Sequence, residues 1–394
     1  MKSIVHISAD FPDPLVPAKT RAVASLIDAV GDYRHLVYSL NRVSWQRDVA
    51  TLPFGPDRIA IAYGAPPYGL ALARALRPVA DVILADLAAR DRVPDLIHAH
   101  KFSVEGFVAA AVAERLGRPF VASLWGDTDI KIVAAKRGLR PAYQAIARQA
   151  ARLLPAAPWT QDYFADVLEL PSEKFGLLPV MTAADAVLPP TETNAPHLIT
   201  VFAFDSWRRK GFDTLVQAIN KVARHVPDVR LDVYGRGNPQ SLLAVNRLIR
   251  GAGHDGRIRL CGPLDHASVQ QTINCYAAFV MPTRRETYGM VHVEALLAGV
   301  PILWSRGRGI DGYLDGLDVG YRCDPESVDD VAGGVRHLLD NSAHLKGSIR
   351  RLQAAGALET LRRPAIAARY RTLLDELTGG SNSQSASLAL AGAR

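Results

Sequence analysis

The chain has 394 residues, 48% hydrophobic and 22% charged, with Lys+Arg 46 against Asp+Glu 39 and a net charge of +7. That length exceeds one ordinary compact core and predicts two domains. No apolar run approaches the roughly 18 residues a spanning helix needs, and three dispersed cysteines (Cys261, Cys275, Cys323) argue against a disulfide framework and a zinc site.

The opening stretch MKSIVHISADFPDP has an apolar run too short for a secretory core, so it reads as a first β-strand and predicts a cytoplasmic chain. Short β-branched runs then alternate with Ala/Leu/Arg segments, the pattern of stacked βα units. Strands are expected at Ser3–Ile7, Leu36–Ser39, Arg58–Ala62, Leu96–His98, Phe120–Leu124 and Phe175–Leu178, with helices at Ala22–Val30, Gly69–Ala89 and Val104–Leu116. The Pro-rich stretch VLPPTETNAPH (187–197) reads as a linker. A second series follows, with strands at His197–Phe204, Val229–Tyr234, Ile258–Cys261, Ala278–Met281, Val300–Trp304 and Gly320–Arg322. Helices fit between them at Phe212–His225, Gln240–Ala252, Ser268–Tyr276, Val291–Ala298 and Val328–Asn341.

The expected fold is α/β: two Rossmann-like doubly wound domains facing across a cleft, with ligands at the carboxyl ends of the strands. The expected division is 1–182, 183–362, an amphipathic helix over 363–378 returning to the first domain, and a flexible tail over 379–394.

The most informative segment is PTRRETYGMVHVEALLAGVPILWS (282–305). A strand ends at Met281–Pro282, and a helix starting near Tyr288 is stopped by Gly299 with Pro301 beyond it. A helix start at the end of a parallel strand offers free N–H groups to a phosphate. Glu286 in the loop suits sugar hydroxyls, and Glu294, eight residues on, suits a ribose. Taken alone, the two carboxylates read more readily as a helix-terminus charge and a solvated or paired surface residue. The wider pattern favours a site.

This segment resembles the signature of the retaining, nucleotide-sugar-dependent glycosyltransferases of group 1 (family four), whose architecture is the B-type glycosyltransferase fold, GT-B. The match runs through Pro282, Thr283, Glu286, Thr287, Tyr288, Gly289, Glu294, Ala295, Ala298, Gly299 and Pro301. Thr287 replaces the family glycine and puts donor identity in question.

The resemblance continues in FAFDSWRRKGFDTLVQAI (202–219), where Lys210-Gly211 matches the family's Lys-Gly. Asp205 stands near the place of the family arginine, leaving Arg208 or Arg209 to replace it. Gly235 in LDVYGRGN is similar to the opening of the nucleoside pocket, and Gly262 to the turn over the base. The stretch 307–312 is a literal G-x-G-x-x-G, but no helix is expected straight after it, so a dinucleotide fingerprint is rejected.

In the first half, DLIHAHKFSVEGF (95–107) resembles the family's strand ending in His-x-His, which makes His100 an acceptor-side candidate. Asp127, after Trp125-Gly126, suits an attacking hydroxyl, with helix capping by Asp127 or Asp129 as the competing reading. Lys19, Thr20 and Arg21 stand where the family often has glycines and offer side-chain contacts to phosphate. Lys131, Lys136, Arg137, Arg140, Arg148 and Arg152 form a cationic stretch free of acidic residues, suited to anionic lipid or a lipid diphosphate, or simply a solvated face.

The resemblance implies a retaining hexosyltransferase that uses a GDP- or UDP-sugar and no metal or other cofactor. Its acceptor is expected to be a glycan or polyprenyl-diphosphate-linked saccharide in bacterial polysaccharide or glycolipid assembly, at the inner face of the membrane. Catalytic roles fall to Glu286, His100 and Asp127. Donor contacts fall to Lys210, Arg208, Arg209, Gly235, Gly262, Thr287, Tyr288, Gly289, Met290 and Glu294, and the acceptor or membrane surface to Lys131, Lys136, Arg137 and Arg140. Nucleic acid is not expected, because aromatics are sparse in the basic stretch. The alternatives are a nucleotide-sugar epimerase of the same fold and a non-catalytic two-domain ligand-binding protein.

Overall fold

The computed structural model describes residues 1–43, 48–66, 71–193, 195–253 and 256–379. The expected flexible tail lies almost wholly outside the described residues, as does the start of the predicted Gly69–Ala89 helix. The chain forms two compact units. One comprises Met1–Pro155, Tyr163–Leu178 and the chain from Pro364 onward, the other Ala156–Asp162 and Pro179–Arg363.

The first unit contains β1 (Ser3–Ser8), α1 (Ala22–Asp28), β2 (Arg34–Val43), β3 (Ala50–Gly55), β4 (Arg58–Gly64), α2 (Leu72–Ala89), β5 (Leu96–Ala99), α3 (Glu105–Leu116), β6 (Phe120–Leu124), α4 (Gly126–Ala135), α5 (Arg140–Gln149) and β7 (Arg152–Pro155). Next comes α6 (Pro158–Leu168), whose first turn is grouped with the second unit. The sheet order is β3-β4-β2-β1-β5-β6-β7, parallel throughout except for β3 on β4. Strand order reverses between β1 and β5, so the crevice beyond their carboxyl ends is where a doubly wound sheet collects ligands. Helix α2 shows why the pattern works: Leu72, Leu76, Val79, Ala80, Ile83 and Leu87 recur at helical spacing and are buried, while Pro78 faces outward.

Three local expectations need correction. Phe175–Leu178 is no strand: Phe175 makes only an isolated bridge to Leu153, and the segment lies alongside β7 through Gly176 and Leu178 N–H bonds to Leu153 and Pro155. Strand β3 was not expected; it is largely exposed and carries Pro53, which an edge strand tolerates. Lys19 does not offer its ammonium to a phosphate. It is tied to Asp13, Ser39 and the Leu40 carbonyl at 2.7, 2.9 and 3.3 Å. Burial alone would lift the Asp13 carboxyl, but hydrogen bonds from Lys19, Ser39 and Asn41 outweigh it and hold the pKa at about 2.

The second unit contains β8 (His197–Val201), α7 (Phe212–Ala223), β9 (Arg230–Tyr234), α8 (Pro239–Gly251), β10 (Ile258–Gly262), α9 (Val269–Asn274), β11 (Ala278–Val280), α10 (Met290–Leu297), β12 (Ile302–Ser305), β13 (Gly320–Cys323), α11 (Val328–Asp340) and α12 (Ser342–Ala354). Its sheet is parallel in the order β10-β9-β8-β11-β12-β13, with the reversal between β8 and β11. Of the stretch read as a linker, His197 already belongs to β8; the other described residues, 187–193 and 195–196, lie in neither helix nor strand, yet they are fixed to this unit. Leu188 N–H donates to the Leu297 carbonyl, Asn274 to the Pro189 carbonyl and Lys346 to the Thr191 carbonyl. The last helix, α13 (Arg363–Leu377), buries Ile366, Tyr370 and Leu374, and the Tyr370 hydroxyl lies 2.7 Å from His98 Nδ1 in the first unit. Among the described residues no helix is long and apolar enough to cross a membrane.

Candidate functional site

In the second unit, the loops after β8 and β11 meet at the strand-order reversal. Gly211, in the left-handed region at φ +63°, packs so closely on the second loop that an added Cβ would lie 1.9 Å from the Pro282 carbonyl oxygen. Arg284 and Arg285 N–H groups both donate to the Arg209 carbonyl, stitching the loops together. This approach lets the Lys210 ammonium donate to the Glu286 carboxylate. Burial alone would raise the Glu286 carboxyl, but Lys210 outweighs it and holds the pKa below the usual range.

The helix after this loop starts at Met290, between the two expected starts near Tyr288 and at Val291, because Gly289 is its left-handed cap residue at φ +80°. Thr287 N–H donates to Glu286 Oε1 at 3.2 Å, so the carboxylate lies beside the start of α10. Tyr288 is buried and edge-on to Tyr313, whereas Met290 is exposed. The glycine-rich stretch 307–312 closes over the other side. Gly309 packs tightly here, since a Cβ would lie 3.2 Å from Glu286 Cγ and 3.3 Å from the Tyr288 carbonyl oxygen. No helix follows this stretch directly, in keeping with rejection of the dinucleotide reading. Asp311 holds its turn by accepting from Trp304 Nε1, Gly307 N–H and Arg322 at 3.1, 2.6 and 2.6 Å.

Arg208 and Arg209 are both exposed, and the Arg208 guanidinium lies 4.2 Å from the centre of the Trp207 ring. Asp205, near the expected arginine position, is tied to the start of α8: it accepts from the N–H of Asn238, the N-cap residue, and from the Ser241 hydroxyl. Gly235 donates to the Gly262 carbonyl at 2.8 Å, so these two candidates meet; a Cβ on Gly235 would lie 1.9 Å from the Phe202 carbonyl oxygen. Glu294 is buried one helical stretch further in, and burial lifts its pKa to about 7 against weak bonds from the Ala183 and Ala184 N–H groups.

Two residues of this region escaped sequence reasoning. Arg284 donates to Asp213, Thr214, Glu326 and the Arg208 carbonyl, fixing the loop that carries Glu286. His292 is buried with Nδ1 lacking a hydrogen-bond partner among the described residues, and burial lowers its pKa to about 4. It lies three residues after Gly289, so its side chain turns back toward the helix start. That spacing was visible in the sequence.

In the first unit, His100 is 2% exposed, more enclosed than an open acceptor site predicts. It lies just past β5, with its Nε2 3.0 Å from His6 Nδ1. Asp127 and Asp129 both sit in the first turn of α4, and Asp129 accepts from Trp125 N–H and Ser103 N–H at 2.6 and 2.9 Å. Glu105, not singled out from the sequence, is fully buried and accepts from Ala9 N–H at 2.5 Å. Of the basic stretch, Lys131, Arg137 and Arg140 are exposed and Lys136 is half-buried; Arg140 lies 3.6 Å from Glu169.

Comparison with known proteins agrees with the motifs. Residues 195–341 match the family model described as glycosyl transferases group 1, and residues 20–181 match the glycosyl transferase 4-like domain. A glycogen synthase of Mycobacterium tuberculosis is 29% identical over 150 residues, 37% of this chain. The match spans only 34% of that relative's length. Among solved structures, a sucrose-phosphate synthase from Thermosynechococcus elongatus superposes with a TM-score of 0.72 at 19% identity, covering 96% of this chain and all of that one. Anabaena Alr3699/HepE in complex with UDP gives 0.71 at 16% identity, covering 96% and 100%. These likenesses establish the fold as GT-B.

Proposed function

Because the chain belongs to the group 1 glycosyl transferases, we propose that it moves a hexosyl group from a nucleoside diphosphate sugar to a glycan or lipid-linked acceptor with retention of anomeric configuration. The observation that supports this reading most is the Lys210–Glu286 pair beside the start of α10. In this reading Lys210 and the backbone N–H groups of Thr287–Met290 meet the diphosphate, whose negative charge grows as the nucleotide leaves. Glu286, released from Lys210 when the diphosphate binds, accepts hydrogen bonds from sugar hydroxyls, and Glu294 accepts from the ribose. Arg208 or Arg209 adds a second cation, and Gly235 and Gly262 border the nucleoside. No metal is required, since the fixed cation and N–H groups supply the charge a metal would bring.

His100 and Asp127 belong to the acceptor side of this reading. The exposed cations Lys131, Arg137 and Arg140 suit an acceptor carried on an anionic lipid diphosphate, with Lys136 beside them. UDP-sugars are the first donors to test, because the Anabaena structural relative is described as a UDP complex. A thermal-shift screen against UDP- and GDP-sugars, followed by product analysis, tests the proposal: a bound donor raises the melting temperature by mass action. Absence of a shift with every donor, together with full turnover by Lys210→Ala, overturns it.

A further inference from the structure

Four histidines meet in the first unit where strand order reverses. His6 on β1 pairs in register with His98 on β5, His100 follows β5, and His35 lies on neighbouring β2. His35 Nε2 is 2.8 Å from the Val30 carbonyl oxygen, His35 Nδ1 is 2.9 Å from His6 Nε2, and His6 Nδ1 is 3.0 Å from His100 Nε2. We infer that His35 and His6 act as positioning residues that hold His100 as the Nε2–H tautomer, so that it offers a bare Nδ1 to a ligand hydroxyl.

The direction of the chain follows from its end. A carbonyl oxygen only accepts, so His35 Nε2 must carry a proton. A neutral imidazole has a single N–H, which leaves His35 Nδ1 as acceptor and obliges His6 Nε2 to donate. The same rule makes His6 Nδ1 an acceptor and His100 Nε2 a donor. His100 Nδ1 therefore keeps its lone pair.

Neutrality is favoured by the surroundings: His6, His98 and His100 are 0 to 2% exposed. Burial lowers the pKa of all four rings, and Arg58 opposes charge on His35 where Asp28 favours it. His98 gives no such direction, because its partners, the Tyr370 and Ser123 hydroxyls, each donate or accept. One ring nitrogen from each of His6, His98 and His100 also lies within 4.8 Å of the other two, a spacing open to a metal ion. Ligation by His6 would break the chain, since both of its nitrogens are already bonded to imidazoles.

A bare Nδ1 selects its ligand. It accepts from a hydroxyl or an ammonium group and opposes a phosphate or carboxylate oxygen, which presents another lone pair. Assigning that hydroxyl to a glycosyl acceptor rests on the proposed function; the tautomer does not. The test is therefore made on the unliganded full chain labelled with 15N-histidine, by long-range 1H–15N correlation spectra.

The His100 resonances, identified by their loss in His100→Gln, are expected to show the Nε2–H pattern, with His6 and His35 alike. In His6→Leu the His100 pattern is expected to shift toward Nδ1–H or a mixture. An Nδ1–H or doubly protonated His100 in the wild type overturns the inference. So does an unchanged His100 tautomer in His6→Leu, and so does replacement of the pattern by a metal-bound one at stoichiometric zinc. If His6→Leu does not fold, the wild-type spectrum decides. None of these outcomes bears on whether glycosyl transfer occurs.

Discussion

Lys210, in the loop between β8 and α7, donates to Glu286, in the loop before α10, and the two side chains are only 17% and 14% exposed. Neither charge is well hydrated, so each depends on the other. Lys210→Ala and Glu286→Ala are each expected to abolish transfer while leaving circular dichroism spectra native. Lys210→Met leaves a carboxylate poorly solvated and unpaired, at a cost of about 1–3 kcal/mol near neutral pH. The Glu286 pKa is lowered in the fold, so the pair's contribution is present above the ordinary value of 4.5 and is lost as pH falls through the lower folded one. Urea unfolding at pH 7 and pH 3.5 checks this: the gap between wild type and Lys210→Met should narrow in acid. A constant gap means the pair does not form in solution.

Gly211 and Gly262 separate two reasons for a glycine. Both have positive φ, +63° and +79°, but only at Gly211 would a Cβ strike backbone, the Pro282 carbonyl oxygen, while at Gly262 nothing lies within 4 Å. Gly262→Ala should therefore cost only the left-handed penalty, about 1–2 kcal/mol. Gly211→Ala must also push the two loops apart, for roughly 3 kcal/mol or more and loss of transfer. Denaturant midpoints of the two variants decide. Equal losses would show that the close approach of the two loops is not rigid.

Asp311 is 2% exposed and accepts from Trp304, Gly307 and Arg322 at once. Asp311→Ala strands the buried Trp304 N–H and the half-buried Gly307 N–H and frees the stretch that packs Gly309 against Glu286, so a loss of about 2–4 kcal/mol is expected. Asp311→Asn keeps one acceptor oxygen and should lose less. Thermal unfolding of both variants, with donor KM measured in parallel, tests whether this aspartate shapes the site as well as the fold. An Asp311→Ala protein with wild-type stability would refute the assignment.

The second unit was the more legible half. Its strands are β-branched runs followed by helices of clear periodicity, and Lys210-Gly211 and the Glu286 to Glu294 spacing lie within continuous segments. Helix α12 was missed because it follows α11 without a strand between. In the first unit, β3 is a short edge strand that buries none of its residues and is interrupted by Pro53. The histidine cluster draws on β1, β2 and β5, so no spacing along the chain announces it. Only the order β2-β1-β5 brings His35, His6 and His100 into line. Asp205 was unreadable for a similar reason, since its partner Ser241 lies beyond the next strand.

Glu105 opens α3 with no solvent exposure, and its Oε2 has no hydrogen-bond partner among the described residues. Burial pushes its carboxyl from 4.5 up to about 8, although Lys101 pulls the other way; Asp10 adds to the rise. The folded value lies above the unfolded one, so the folded chain holds the proton more tightly. The stabilisation this brings is complete below about pH 4.5 and declines as pH climbs through the folded value. Glu105→Gln keeps an oxygen for Ala9 N–H and cannot ionise. Between pH 5 and pH 8.5 the wild type should therefore lose stability that the variant retains, at most about 4 kcal/mol. Urea titrations across that range measure the difference in slope. Parallel profiles would mean that Glu105 is already ionised at pH 5, held so by Lys101, and that the buried carboxyl beside Ala9 is a charged group.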